Sequence, residues 1–309
     1  MPAPVLPNFF IAGAPKSGTT SLYHYLGQHP EIYMSPIKEP NYFASEIRLE
    51  RFSERLRSEA EQDVRALRAY LDGPMREKRF GGLVTEWRDY LKLFQQAEGR
   101  SAIGEASVCY LWSESAAANV RRSIPDARII LVLRNPAEMA FSMYLQNAKS
   151  GALRCTFREA MEMALEQRGG RIDVMHPFLD LGLYYEQVKR FLATFPEKQV
   201  RVYWYEEYKA EPARMLADIF RFLKVDANFS PDMSKRYLEA GMPNVVLDSA
   251  ERAFLTEFYR DDVRKLADLL RRDLSGWCEA IISEPCSPCS LGVQQELTCV
   301  NQKARPVGP

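Results

Sequence analysis

The 309-residue chain has only three histidines, no excess of either charge and no long hydrophobic run. Its 41 basic residues balance its 41 acidic ones, which argues against a nucleic-acid binder because such proteins usually carry a basic excess or stripe. No stretch approaches the ~18 apolar residues of a membrane span. The first residues also lack the basic segment and apolar run of a secretory signal. We therefore expect a cytoplasmic protein with neither nucleic acid nor membrane as a partner.

Cysteine is scarce in most of the chain and is concentrated at its C-terminal end. Cys286 and Cys289 form a C-x-x-C pair, but a zinc site would need a second ligand pair at matching spacing. Neither Cys278 nor Cys299 supplies such a pair, and no histidine follows. We expect no metal site. The sequence predicts one domain over residues 1–277 and a loosely ordered Cys/Pro-containing tail over residues 278–309.

Segments of strand character alternate with segments of helical period along the predicted domain. The clearest strand, Ala127 to Leu133, is continuously apolar, as central parallel strands are. The other predicted strands are 8–14, 31–34, 101–106 and 199–205. The predicted helices are 18–28, 48–72, 86–96, 136–149, 157–167, 183–195, 212–223 and 249–274. This alternation predicts a three-layer α/β fold, with a central parallel sheet and helices on both faces.

The stretch FFIAGAPKSGTTSLYHYL, from Phe9 to Leu26, reads as strand, loop and helix. Gly13 and Gly18 have the spacing of a nucleotide-triphosphate loop, G-x-x-x-x-G-K-[ST], but Thr19 stands where its lysine belongs. The helix N-terminus after such a loop favours a phosphate. The lysine lies earlier, at Lys16, where it can stabilise negative charge on a leaving oxygen. The sequence therefore predicts an anion site with unusual lysine placement.

The strand 127–133 ends in Arg134, Asn135 and Pro136, with no carboxylate to hold magnesium. This weakens the interpretation as a P-loop kinase or NTPase, which stays as the alternative. A non-catalytic nucleotide-binding protein is a third possibility, which the presence of Lys16 and Glu39 disfavours.

Five stretches resemble the sulfotransferases that use 3′-phosphoadenosine 5′-phosphosulfate (PAPS), particularly the carbohydrate-type and bacterial enzymes. These stretches are PKSGTTSLYHYL, KEPNYF, IGEASVCYL, RIILVLRNPAEMAFSMYLQ and LGLYYEQVKRFLATFP. The resemblance implies a P-loop-like fold with a phosphosulfate-binding loop. It also implies sulfuryl transfer from PAPS to a hydroxyl, or an amine, with release of 3′,5′-ADP and no metal.

The resemblance also implies residue roles on the cofactor. Lys16 corresponds to the lysine that contacts the leaving phosphate, and Arg134 and Ser142 correspond to the residues that bind the 3′-phosphate. Lys235 and Arg236 are either part of a loop that covers the cofactor or a surface basic pair. The 5′-phosphosulfate would be held by Ser17, Gly18, Thr19 and Thr20.

The acceptor must lose a proton during transfer, so a general base is required. Glu39 resembles the glutamate base of the carbohydrate-type enzymes, and Lys38 resembles a lysine that approaches the sulfuryl group. His176 is the rival base, since the aryl-type enzymes use a histidine. We favour Glu39 over His176.

The acceptor is expected to be a small molecule, such as a secondary metabolite, or a saccharide. Many relatives have a basic residue or Thr-Pro around Ala106 to Cys109, and this chain departs from that pattern. The sequence indicates no oligomeric state. The predicted acceptor-binding residues are Tyr42, Phe43, Ser107, Tyr110 and Tyr184.

Overall fold

A computed structural model describes residues 4–168, 172, 178–235, 237 and 245–279. Its strands are β1 (Phe9–Gly13), β2 (Ile32–Met34), β3 (Ile37–Lys38), β4 (Arg79–Phe80), β5 (Ala102–Ala106), β6 (Arg128–Leu133) and β7 (Val200–Trp204). Its helices are α1 (Thr19–Leu26), α2 (Glu54–Asp72), α3 (Trp87–Lys92), α4 (Cys109–Trp112), α5 (Ala116–Ser123), α6 (Pro136–Lys149), α7 (Phe157–Glu166), α8 (Tyr184–Thr194), α9 (Tyr205–Ala210), α10 (Pro212–Leu223), α11 (Ser249–Leu270) and α12 (Ser275–Cys278).

Five strands form one sheet in the order β2-β5-β1-β6-β7, and every pairing in it is parallel. In β1, Phe9 lies opposite Gly104 of β5 and Arg128 of β6. The carboxyl ends of all five strands therefore meet at one edge, where ligands of α/β proteins bind. β3 and β4 form a separate two-stranded parallel sheet.

Helices cover both faces of the five-stranded sheet, which confirms the predicted three-layer fold. In β1, Phe9 and Ile11 pack in a core with α1 and α10, whereas Phe10 and Ala12 pack in the opposite core with α4, α6, α8 and α11. β6 alternates in the same way between the two cores. A strand that contributes to two cores must be apolar at every position, which explains the continuous apolar run of β6.

The predicted elements match the structure to within a few residues, with two instructive differences. The predicted helix 48–72 is a 3₁₀ turn, Leu49–Arg51, followed by α2, because the Ser53 hydroxyl accepts a hydrogen bond from the amide of Leu56 and begins a new helix there. The predicted helix 249–274 ends at Leu270 and is followed by α12.

The sequence analysis missed β3, β4, α4, α5 and α9, each of eight residues or fewer. None of the helices in the described ranges is both long and apolar enough to span a membrane. The predicted tail from residue 280 onward lies outside the described residues.

Candidate functional site

A cavity of about 910 Å³ opens at the carboxyl edge of the sheet. Its wall is formed by the loop after β1, the loop after β3, helix α6 and helix α9. The predicted residues on its wall are Lys16, Gly18, Thr19, Thr20, Lys38, Glu39, Arg134 and Ser142. Residues more than 100 positions apart in the sequence therefore share one site.

The N-terminus of α1 forms one end of this cavity. Gly18 precedes the helix in the left-handed conformation (φ 78°), no side chain caps the helix, and its first turn holds no acidic residue. The first amide groups of α1 and the hydroxyl-bearing Thr19 and Thr20 are therefore available to an anion, which the helix dipole also favours. Ser17 differs, because its buried hydroxyl donates to the Pro15 carbonyl (3.2 Å) and stabilises the loop itself.

Lys16 extends from this loop into the cavity, with its backbone also in the left-handed region (φ 57°). Its ammonium donates to Oε1 of Gln146 on α6 (2.6 Å). Burial, and then the charges of Arg134 and Lys38, lower the pKa of Lys16 to about 8. A phosphate bound here would offset the repulsion that Lys16 experiences from Arg134 and Lys38 and would favour the charged form of Lys16.

Arg134 lies at the carboxyl end of β6 and connects three parts of the site. Its guanidinium donates to the Lys16 carbonyl (3.0 Å), lies 4.7 Å from the centre of the Tyr205 ring, and is 3.8 Å from the Glu138 carboxylate. Glu138 in turn is paired with Arg252 of α11 (2.7 Å). Glu138 lies closer to Arg252 than to Arg134. The guanidinium of Arg134 therefore keeps N–H groups that can donate to an anionic ligand.

Glu39 and Lys38 form an ion pair on the wall of the same cavity, with Nζ 2.5 Å from Oε1. The Lys38 side chain is almost fully buried, whereas that of Glu39 is 32% exposed. Within the described part of the chain, Oε2 of Glu39 has no hydrogen-bond partner. The carboxylate is thus held at one oxygen and open at the other, as a general base requires.

The five residues predicted to bind the acceptor are not on the wall of this cavity. Phe43, Ser107, Tyr110 and Tyr184 are buried in the core, and Tyr42 stacks on Tyr90 with ring centres 4.6 Å apart. We call the segment 39–43 the Glu39 loop. Tyr42 and Phe43 belong to it, and Ser107 and Tyr110 contact it. Their role as direct acceptor contacts stays a prediction, whereas their packing beside the loop is observed.

Three further predicted residues are not tested by the structure. Lys235 is exposed, and its carbonyl accepts from the Tyr25 hydroxyl (3.0 Å), a residue of the cavity wall. His176 and Arg236 lie outside the described residues. The roles of these three residues remain predictions.

The sequence analysis missed several residues of the cavity wall. They are Tyr25, Glu138, Gln146, Lys149, Tyr205, Tyr208, Lys209, Met233 and Tyr237. Most lie on α6 and α9, whose orientation is set by packing. Tyr205 had a sequence signal, because it is the last residue of the predicted strand 199–205.

Positive charge exceeds negative charge on the wall. Lys16, Lys38, Arg134, Lys149 and Lys209 stand against two carboxylates, Glu39 and Glu138. This balance suits a ligand with several negative charges. Across the ranges that the structure describes, no three His, Cys, Asp or Glu side chains are grouped as metal ligands.

Comparison with known proteins shows which family the chain resembles. The sulfotransferase domain profile matches residues 6–240, which is more than half of the chain. The bifunctional heparan sulfate N-deacetylase/N-sulfotransferase 2 of Bos taurus is 25% identical over 292 residues, covering 86% of this chain but 30% of that protein. Human carbohydrate sulfotransferase 15 is 25% identical over 344 residues, covering 88% of this chain and 54% of that protein.

A solved structure also matches nearly the whole chain. The sulfotransferase from Alicyclobacillus acidocaldarius is 34% identical with a TM-score of 0.72, over 89% of this chain and all of that one. The sulfotransferase domain of the Synechococcus PCC 7002 olefin synthase, at 20% identity and a TM-score of 0.52, shares the fold. The chain spans less than a third of the length of the first curated relative. Together with the matched profile, these likenesses establish that this chain belongs to the sulfotransferase family.

Proposed function

We propose that this chain transfers the sulfuryl group of PAPS to a hydroxyl or amine of a saccharide or small-molecule acceptor and releases 3′,5′-ADP. The observation that carries this proposal is the placement of Lys16 and Glu39 on one cavity: a half-buried lysine lies beside an open helix N-terminus, and a partly exposed carboxylate lies on the wall of the same cavity. The family's use of PAPS supports the cosubstrate.

The cavity offers a separate group for each anionic part of PAPS. The 5′-phosphosulfate would bind at the N-terminus of α1 with Thr19 and Thr20, and the 3′-phosphate would bind Arg134 and Ser142. Charge-assisted hydrogen bonds of this type are the strong ones. The aromatic rings of Tyr205 and Tyr237, also on the wall, would pack against the adenine.

The transfer step is a displacement at sulfur. The acceptor oxygen, or nitrogen, forms a bond to sulfur while the bond from sulfur to the 5′-phosphate oxygen breaks. Glu39 takes the acceptor proton, and the leaving electron pair stays on the phosphate of 3′,5′-ADP, where the ammonium of Lys16 stabilises it. Lys38 is paired with Glu39 and thereby holds the base in place.

The named relatives are compatible with two classes of acceptor, saccharides and small molecules. The relatives named for heparan sulfate and carbohydrate sulfation support a saccharide. The Alicyclobacillus acidocaldarius protein, at 34% identity, is named only as a sulfotransferase. It is compatible with a small-molecule acceptor as well. We therefore propose an acceptor panel that spans both: glucosamine, N-acetylglucosamine, 4-nitrophenol, a primary alcohol, and heparin from which sulfate has been removed.

The test measures the thermal stability of the protein with 3′,5′-ADP and, separately, with ATP and Mg²⁺. A ligand at ~100 times its dissociation constant stabilises a fold by ~2.7 kcal/mol. We expect stabilisation by 3′,5′-ADP, and sulfation of at least one panel acceptor from ³⁵S-labelled PAPS. Stabilisation by ATP with Mg²⁺ alone would favour the kinase or NTPase alternative and overturn the proposal.

A further inference from the structure

The Glu39 loop is held by hydrogen bonds at alternate backbone amides. The amide of Glu39 donates to the Ala106 carbonyl (2.7 Å), that of Asn41 to the Ser107 hydroxyl (3.2 Å), and that of Phe43 to the Tyr110 hydroxyl (3.2 Å). All three acceptors lie in the segment 106–110. The position of the loop is therefore determined by the end of β5 and the start of α4.

The loop needs this support because its backbone conformation is unfavourable. Glu39 and Asn41 have φ values of 66° and 59°, in the left-handed region. This conformation is unfavourable for a residue with a side chain such as Glu39, whereas asparagine tolerates it better. Strained residues of this kind persist only where the surrounding structure holds them.

Beneath the loop lies Glu105 of β5, a fully buried carboxyl group that no step of the proposed reaction uses. Its Oε1 accepts from the Ser107 hydroxyl (2.6 Å), and its Oε2 accepts from the Tyr90 hydroxyl (2.5 Å). Tyr90 stacks on Tyr42 of the loop, with ring centres 4.6 Å apart. Each carboxyl oxygen thus reaches the loop through one intermediate side chain.

The Asn41 amide can only donate, so the Ser107 hydroxyl accepts from it and keeps its single proton for Glu105. In its ionised form Glu105 can only accept, and it then receives both the Ser107 and the Tyr90 protons. Burial raises the pKa of Glu105 to about 7, and the bonds from Ser107 and Tyr90 oppose that rise. An amide in place of the carboxylate has one acceptor end and one donor end, so one of the two hydroxyls, of Ser107 or of Tyr90, would face an NH₂ group and lose its acceptor.

We propose that Glu105 is a positioning residue that holds the base Glu39 in place through Ser107 and the Glu39 loop. The inference rests on the proposed function, because it assumes that Glu39 removes the acceptor proton. Glu105 itself does not touch the reacting atoms. Its effect is expected on the rate of transfer and not on the binding of the nucleotide. Within the residues that the structure describes, the side chains of Glu105 and Ser107 bond to Tyr90 and the Glu39 loop, and not to the residues proposed to hold the phosphates.

The test compares Glu105→Gln, Ser107→Ala and Ser107→Thr with the wild type, using PAPS and the panel acceptor that the wild type sulfates fastest. We expect kcat to fall at least tenfold in Glu105→Gln and Ser107→Ala, while the dissociation constant of 3′,5′-ADP changes less than twofold. Ser107→Thr keeps the hydroxyl and should restore most of kcat. If Glu105→Gln fails to fold, Ser107→Ala decides the question.

Ser113→Ala is the matched control. The Ser113 hydroxyl also lies between a glutamate and a backbone amide, donating to Glu46 (2.6 Å) and accepting from Ala116 (3.0 Å), and it is equally buried. It does not contact the Glu39 loop residues 39–43 through these bonds. We expect Ser113→Ala to change kcat less than twofold.

A double mutant separates positioning of the base from other effects. Ser107→Ala should slow the wild type but should not slow the Glu39→Gln variant further, because no base is left to position. An equal slowing in both backgrounds, or wild-type kcat in both Glu105→Gln and Ser107→Ala, would overturn the inference alone. Wild-type kcat in Glu39→Gln would overturn the assignment of the base, and absence of PAPS turnover by the wild type would overturn both proposals.

Discussion

The nucleotide side and the acceptor side of the cavity differ in how their residues are held in place. The nucleotide side, comprising the loop 14–18 and the start of α1, is one continuous stretch whose backbone amides and hydroxyls form the anion site. The acceptor side, the Glu39 loop, is held by hydrogen bonds to Ala106, Ser107 and Tyr110. In the proposed function, a local motif would bind the nucleotide, whereas long-range contacts would position the base.

The two sides also differ in charge. The nucleotide side is cationic, and the repulsion that Lys16 experiences from Arg134 and Lys38 is relieved when an anion binds. The acceptor side carries a paired Lys38 and Glu39, which is close to neutral. Mutations on the first side should therefore weaken binding, and mutations on the second should slow the chemical step.

The largest expected effect is on the acceptor side. Glu39→Gln removes the general base and should lower kcat by about 10²- to 10⁴-fold, with the dissociation constant of 3′,5′-ADP changed less than twofold. Steady-state kinetics and calorimetry measure the two quantities. The control is Glu86→Gln, an exposed carboxylate at the start of α3, which should retain wild-type kcat. Loss of nucleotide binding in Glu39→Gln with unchanged kcat would contradict the division between the two sides.

Arg134→Ala should weaken 3′,5′-ADP binding by about tenfold to hundredfold, because a hydrogen bond to a charged group contributes about 1.5–3 kcal/mol. Binding of 5′-AMP, which lacks the 3′-phosphate, should change much less. Calorimetric titrations with both nucleotides measure the difference. The control is Arg128→Ala, at the opposite end of the same strand. Equal losses for both nucleotides would show that Arg134 does not bind the 3′-phosphate.

Nucleotide binding should also depend on pH through Lys16. Its pKa in the free protein is about 8, and a bound phosphate should raise it, so binding at pH 8–9 takes up protons. The affinity for 3′,5′-ADP should then fall as pH rises above 8, by at most about tenfold per pH unit. Calorimetry in buffers of different ionisation enthalpy measures the uptake. The same uptake in Lys16→Met would assign it to another group.

The smallest effect tests the nucleotide side at one backbone position. Gly18 and Gly99 both have φ 78°, but a Cβ on Gly18 would lie 2.8 Å from the Tyr208 ring, whereas one on Gly99 would meet nothing described within 4 Å. Both alanine variants should lose about 1–2 kcal/mol of unfolding free energy from the left-handed conformation.

Gly18→Ala should lose more than Gly99→Ala because of the contact with Tyr208, and it alone should weaken 3′,5′-ADP binding. Denaturant unfolding and calorimetry measure the two effects. Equal losses of stability with unchanged nucleotide binding would mean that the loop accommodates a side chain without moving.

The difference between the nucleotide side and the acceptor side also explains which site residues could be predicted from the sequence. The nucleotide side was readable because strand, loop and helix follow one another between Phe9 and Leu26, and Arg134 follows the most apolar strand. Gln146 and Lys209 had no such signal, because they reach the cavity through the packing of α6 and α9. Ser107 and Tyr110 were predicted to contact the acceptor, and in the structure they bind the Glu39 loop.

The sequence by itself determined the layered fold and the anion site. Apolar periodicity predicts the elements, and an uncapped helix N-terminus after a glycine-containing loop favours an anion. Only the tertiary structure decided which residues face the Glu39 loop and that Glu105 lies beneath it. A buried carboxylate must have its hydrogen-bond partners close by. Ser107 is two residues away in the chain, but Tyr90 comes from α3, which only folding brings to β5.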